Sequence, residues 1–221
     1  LVSTQKKNQY NTFKERLLSY GFYTANMAYA MSFEQTNTAL EYFDITDNLG
    51  KNLNIFPPET EKLTRRLMRN MNNIDSLNML YDEIYLTVVA NLHDTERFGE
   101  YALISAGGFV ESLYLALNSG GRRGLEDDFR MRIWDQKMIL DQIIKMFELY
   151  LSSPLRNEML NDLKGLRTAF NEYTLTAAQA SGQKRADGAM VIGTANNTKQ
   201  AINPIENIHT AVNMLRAKWV K

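Results

Sequence analysis

Cysteine is absent from the 221 residues. Disulfides, thiolate nucleophiles, Cys-ligated zinc, iron–sulfur clusters and covalently attached c-type haem are excluded with it. Histidine occurs twice, at His93 and His209, so one chain cannot supply a three-imidazole metal site. Charge of one sign is lacking too: 25 Lys and Arg balance 25 Asp and Glu. Such a surface has no general grip on nucleic acid or anionic lipid. No apolar run reaches the roughly 20 residues that span a bilayer, and the best candidate, residues 102–117, is interrupted by Glu111. The start at Leu1 shows no cationic segment followed by an apolar one, so an export signal is expected only upstream of it. The Gly-x-Ser-x-Gly elbow of serine hydrolases is also missing.

Proline is scarce, at positions 57, 58, 154 and 204. Long Pro-free stretches lie between, with apolar residues stepping by three and four, the period of an amphipathic helix. From Tyr10 to Leu53 the series is Phe13, Leu17, Tyr20, Met27, Met31, Ala39, Tyr42, Phe43 and Leu49, with a break expected at Gly21 or near Ser32. Helices are expected over about 59–72, 76–92, 102–117 and 126–151, and from Pro154 to about Tyr173. Asp94 or Thr95 is the expected cap before the 102–117 helix, and Ser153 the cap before Pro154. "NPIE" opens a last helix, with Asn203 as cap and Glu206 placed for a capping box.

Between them, residues 174–199 are rich in Thr, Ala, Gly, Gln and Asn. "YTLTAAQA" and "GAMVIGTA" flank the turn-like "SGQKRAD", a pattern for a β-hairpin or a mobile loop. The expected fold is all-α: a multi-helix bundle of six to eight helices, with a small β-hairpin near residues 174–196. It forms one domain over 1–221, with a bundle over 1–173 and a C-terminal helix over 203–221. No internal repeat stands out.

The adjacent Gly107 and Gly108 pose a question of architecture. A phosphate cradle would need a preceding strand and a following Lys-Ser/Thr, and "SAGG" has neither. Small residues four apart let helix axes approach closely. Gly108, Ser112 and Ala116 form one such row, and Gly21, Ala25 and Ala28 offer a match. The two helices are expected to cross near Gly108 and Ala25. Glu111 is expected on the exposed side of its helix. The alternative turns it into an internal polar pocket beside Tyr114 or Tyr101. Candidate ligand-binding residues are then Tyr23, Tyr29, Gly107, Gly108, Glu111 and Tyr114.

Metal chemistry finds little support. Glu206-x-x-His209 is half of a di-iron bundle pattern, and no second Glu-x-x-His exists. No metal and no cofactor are expected. The basic faces Lys62, Arg65, Arg66 and Arg69, and Arg122 with Arg123, lack interleaved aromatics and read as solvated faces rather than a nucleic-acid site.

The segments "YGFYTANMAYA", "ALEYF" and "LGKNLNI", then "YALISAGGFVESLYLAL", a Thr/Asn-rich hairpin and a final helix together resemble a family of uncharacterised lipoproteins of Bacteroidetes-type bacteria. The resemblance implies a cell-envelope location, periplasmic or at the surface, with a lipid-modified cysteine upstream of Leu1 as the membrane anchor. No catalytic motif comes with it. Two functions follow as expectations. One is a non-enzymatic helical domain in protein–protein interaction or scaffolding. The other is a ligand-binding or sensor domain with a Tyr/Met-lined pocket for a small molecule. An enzyme of unrecognised type comes third, and oligomeric state stays open.

Overall fold

A computed structural model describes residues 1–70, 74–119, 127–178, 183–184, 190–191 and 204–221. Eight α-helices lie among them: α1 (Phe13–Ser32), α2 (Thr36–Asn52), α3 (Thr60–Arg69), α4 (Ile74–Asp94), α5 (Phe98–Ser119), α6 (Asp127–Tyr150), α7 (Ser153–Ala178) and α8 (Pro204–Trp219). A 3-10 turn, Thr4–Asn8, precedes α1. Two short strands, β1 (Gln183–Lys184) and β2 (Met190–Val191), pair antiparallel. The chain is an all-α bundle, as its periodicity implies. No described helix is long and apolar enough to cross a membrane.

Several boundaries differ from the sequence expectation, each for a local reason. Gly21 does not break α1, which runs on to Ser32. Its end is marked by Glu34 at φ 55°, with Gln35 N donating to Ala30 O at 2.8 Å. That is a left-handed helix stop made without glycine. Asn54 and Glu96 repeat it after α2 and α4. Thr95 does not cap α5; its hydroxyl turns back to Asn91 O at 2.6 Å. Ser153 is the first helical residue of α7, and Arg156 N donates to Ser152 O. α7 continues to Ala178, so the expected first strand at 173–180 is helix for most of its length, and β1 falls within the expected turn. The expected Asn203 cap and Arg122–Arg123 patch lie outside the described residues.

Gly21 and Gly107 carry the closest approach in the molecule's centre. A Cβ on Gly21 would press into the backbone carbonyl of Ile104, and a Cβ on Gly107 into that of Leu18. Farther along, Asn26 reaches Glu111, so the paired positions advance in the same direction on both helices. The crossing is therefore not at Gly108 and Ala25. A Cβ on Gly108 would sit 3.6 Å from Gly21 O, an ordinary contact. Gly108, Ala25 and Ala28 are only part-buried and Ser112 is exposed. Their row flanks the seam rather than forming it.

The Gly21–Gly107 contact is reciprocal, in the manner of an isologous interface. The register that carries Leu18 and Gly21 onto Ile104 and Gly107 also carries Leu17 onto Leu103, Ser19 onto Ser105, Tyr23 onto Phe109 and Met27 onto Leu113. α2 packs on α1 as α6 packs on α5, and α3 pairs with α4 as α7 pairs with α8. Buried Ala39, Tyr42 and Phe43 of α2 match buried Leu140, Ile143 and Ile144 of α6 in spacing. The likeness is confined to the seam and the helices beside it: α5 packs on α8 and α6 on α7, whereas among the described residues α1 with α4 and α2 with α3 barely touch.

The two adjacent glycines make a direct test. Gly107→Ala should be destabilising by about 1–3 kcal/mol through overpacking against the Leu18 backbone. Gly108→Ala should stabilise by up to about 1 kcal/mol, gaining helix propensity without a clash. Urea midpoints of the two variants check this; equal shifts would contradict the assigned seam.

Candidate functional site: an open cleft and a filled groove

Two grooves flank the α1–α5 seam. One is filled by the start of the chain. Val2 and Tyr10 are 1% and 4% exposed. Val2 N donates to Asn26 Oδ1 at 3.0 Å, and Tyr42 Oη donates to Val2 O at 2.7 Å. Tyr23 Oη donates to Ser3 O at 3.3 Å. The Tyr10 ring packs edge-on against Tyr23, with centroids 6.2 Å apart, and tilted against Phe22 at 6.3 Å. Burial first, and then the Glu111 charge, push the Tyr42 phenol up to about 12, so it remains a donor at neutral pH.

Beneath this segment lies Glu111, fully buried. Its carboxylate accepts from Arg216 Nε at 2.6 Å and Arg216 Nη2 at 3.0 Å, and from Asn26 Nδ2 at 3.0 Å. Asn26 Nδ2 also donates to Phe22 O at 2.7 Å. The Arg216 guanidinium lies over the Tyr114 ring, 3.8 Å from its centroid. A bidentate, charge-assisted pair with its remaining lone pair satisfied is the arrangement that makes a buried carboxylate tolerable. Glu111 is therefore not on the exposed side of its helix; it faces inward beside Tyr114, within a hydrogen-bonded network with Arg216 and Asn26. It pins α8 to α5 and α1. The groove closes at Glu15, which takes Lys221 Nζ at 2.8 Å and caps α1 by accepting from Thr12 N and Asn11 N. The Lys221 hydrogen bond first, then the Thr12 amide, hold the Glu15 carboxyl at about 2.

The other groove is open. It lies between α4 and α6, over the α1–α5 row of small residues, and has a volume of about 480 Å³. Gly21, Ala25 and Ala28 of α1 and Gly108 and Ser112 of α5 form its floor. Tyr81, Tyr85, Val88 and Leu92 make the α4 wall, and Gln136, Ile139, Gln142 and Met146 make the α6 wall. Tyr20, Tyr101 and Phe109 line it from the floor helices. Charged residues are 23% of the chain, yet no charged side chain lines this cleft among the described residues. Apolar side chains continue onto both lips, where Tyr85 and Ile139 are exposed. Burial raises Tyr20, Tyr81 and Tyr85 well above an ordinary phenol, so their hydroxyls stay neutral donors and acceptors.

The six residues expected to share one ligand pocket do not come together. Tyr23 is buried under the N-terminal segment, and Tyr29 packs tilted against Phe33, with ring centroids 4.6 Å apart. Gly107 is in the seam, and Glu111 and Tyr114 belong to the Arg216 network. Gly108 alone lines the open cleft. The helix-packing set divides similarly: Gly21 makes the seam, while Ala25, Ala28, Gly108 and Ser112 floor the cleft. Ala116 packs against the core. The cleft tyrosines at 81 and 85 were legible only as an i, i+4 pair on one helix face. His209 Nε2 lies 3.0 Å from Asn118 Oδ1, and no group of three His, Asp or Glu side chains suited to a metal occurs among the described residues.

No model of a known protein family matches this chain, and neither a curated protein nor a solved structure matches it significantly.

The buried pair has a measurable signature. Arg216→Met should cost about 3–5 kcal/mol, because Glu111 is left buried without its cation. Adding Glu111→Leu to that variant should restore most of the loss, as a thermal-melt cycle would record. Separately, the stability from Glu15 is fully present above pH 4.5 and is lost as pH falls toward about 2. In Glu15→Gln that part of the acid transition should vanish, measured as stability against pH from 5 to 2.

Proposed function

We propose that the protein is a non-enzymatic binding domain that holds an uncharged, largely apolar group in the cleft between α4 and α6. The observation that carries this reading is the cleft's lining: aliphatic and tyrosine side chains over a floor of small residues, without a charge. A buried charge needs a partner to offset its desolvation, so this cleft favours neutral occupants. Its volume of about 480 Å³ falls within the roughly 300–1,000 Å³ of ligand pockets. Tyrosine hydroxyls and the Gln136 and Gln142 amides at the walls supply hydrogen bonds that orient a guest without demanding charge. The cell-envelope setting implied by the family resemblance belongs to the same proposal. A lipid tether upstream of Leu1 would hold the domain at a membrane surface, with the cleft available to neighbouring molecules.

The neutral fluorophore N-phenyl-1-naphthylamine tests this. It should bind saturably, and Gly108→Leu should weaken it about tenfold or more by filling the floor. A Cβ at Gly108 meets only ordinary contacts, and the circular dichroism of the Leu variant is to match that of the parent before binding is compared. Absence of binding, or equal binding to a folded Gly108→Leu protein, would contradict the reading.

A further inference from the structure

The two grooves are counterparts. The register that exchanges Gly21 with Gly107 places the cleft's Gly108, Phe109 and Ser112 on Phe22, Tyr23 and Asn26 of the filled groove. It places the cleft's Ala25 and Ala28 on Glu111 and Tyr114. On the flanking helices, α6 lines the cleft as α2 lines the filled groove, without a residue-by-residue match. In one groove these positions hold a stretch of polypeptide: Asn26 and Tyr42 bond the Val2 backbone, and Phe22 and Tyr23 receive Tyr10. In the other, the matching positions line open space.

We infer that the open cleft is a docking site for an extended peptide segment of a partner protein, one that presents bulky apolar side chains and no charge. This rests on the proposed binding role of the cleft and names its occupant. Two observations select a peptide of this kind. The matching groove already accepts polypeptide, whose Val2 amide is held by Asn26 at the position that Ser112 takes in the cleft. The differences between the grooves then define the side chains. Where the filled groove has Phe22, Glu111 and Tyr114, the cleft has Gly108, Ala25 and Ala28. An aromatic, a carboxylate and a second aromatic have been withdrawn from the floor. The space they leave suits larger apolar side chains than Val2, and the loss of Glu111's equivalent removes any partner for a cation. Ser112 stands where Asn26 bonds the Val2 amide, and the tyrosines of α4 add hydroxyls along the wall. Ser112 is the one counterpart of a backbone-bonding side chain of the filled groove, since Tyr23 is matched by Phe109, and the α4 tyrosines supply the guest's other hydrogen bonds.

The absence of cysteine permits a clean test on the full chain. Leu86→Cys, exposed on α4 beside the cleft but not lining it, takes a single environment-sensitive thiol dye. The labelled protein is titrated with the blocked octapeptide Leu-Ser-Tyr-Ser-Leu-Ser-Tyr-Ser, with the same peptide carrying Asp for Leu, and with N-phenyl-1-naphthylamine. The expected result is saturable binding of the Leu/Tyr peptide, competing with the fluorophore. Asp for Leu should weaken it about tenfold or more, as should Gly108→Leu on the protein. If the fluorophore binds and the peptide does not, the cleft is a site for small apolar molecules; the binding role stands and the peptide inference is overturned. If the peptide binds equally to Gly108→Leu, it occupies some other surface and the inference is likewise overturned. If neither probe binds, both the binding role and its occupant are wrong.

Discussion

The backbone contact between α1 and α5 governs this structure. Two glycines, each placed under the other helix's carbonyl, bring the axes closer than any side chain would allow. Each glycine costs about 1 kcal/mol of helix propensity relative to alanine, offset by the burial that close packing makes available. Everything else is arranged around this pair. α2 and α6 lie against it on one pattern, and α3–α4 and α7–α8 form the outer hairpin-like pairs. Because the approach is so close, small residues beside the seam cannot fill the space above them. The flanking helices must supply that volume, or a groove remains.

The two grooves show both solutions. On the Glu111 side the floor carries large and charged side chains, α8 is drawn down by Arg216, and the first ten residues of the chain are laid across the remaining space. The ion pair there is a device of placement more than of net stability, since a buried pair only about repays its desolvation. On the opposite side the floor is Gly108, Ala25 and Ala28. What the first groove spends on internal fastening, the second leaves as uncharged, accessible surface. The proposed binding role rests on that asymmetry between the two sides of the seam.

The helices were legible in the sequence because their apolar spacing is strong over long Pro-free stretches, and the all-α bundle followed from it. The site was not, and Gly107 and Gly108 show why. Adjacent residues differ by about 100° around a helix axis, and nothing local says which one faces the partner. Choosing Gly108 puts the seam on the wrong face. Choosing Gly107 would have brought Glu111, four residues on, onto the buried side with it. The error about Glu111 is thus the same error as the one about the crossing point. Asn26 and Arg216 could not be paired with Glu111 in advance, since they lie 85 and 105 residues away in the chain. The cleft depends on the relative placement of four helices, so tyrosines at 81 and 85 read only as ordinary amphipathic spacing.

Native-state hydrogen exchange, resolved by residue, tests the central claim most directly. If the α1–α5 contact is the constraint on which the bundle depends, the amides around Gly21 and Gly107 should exchange only through global unfolding, with the largest protection in the chain. The amides of α4 that border the cleft should open at lower free energy. Protection at Gly21 and Gly107 no greater than that of α3 or α4 would contradict the account and move the organising contact elsewhere.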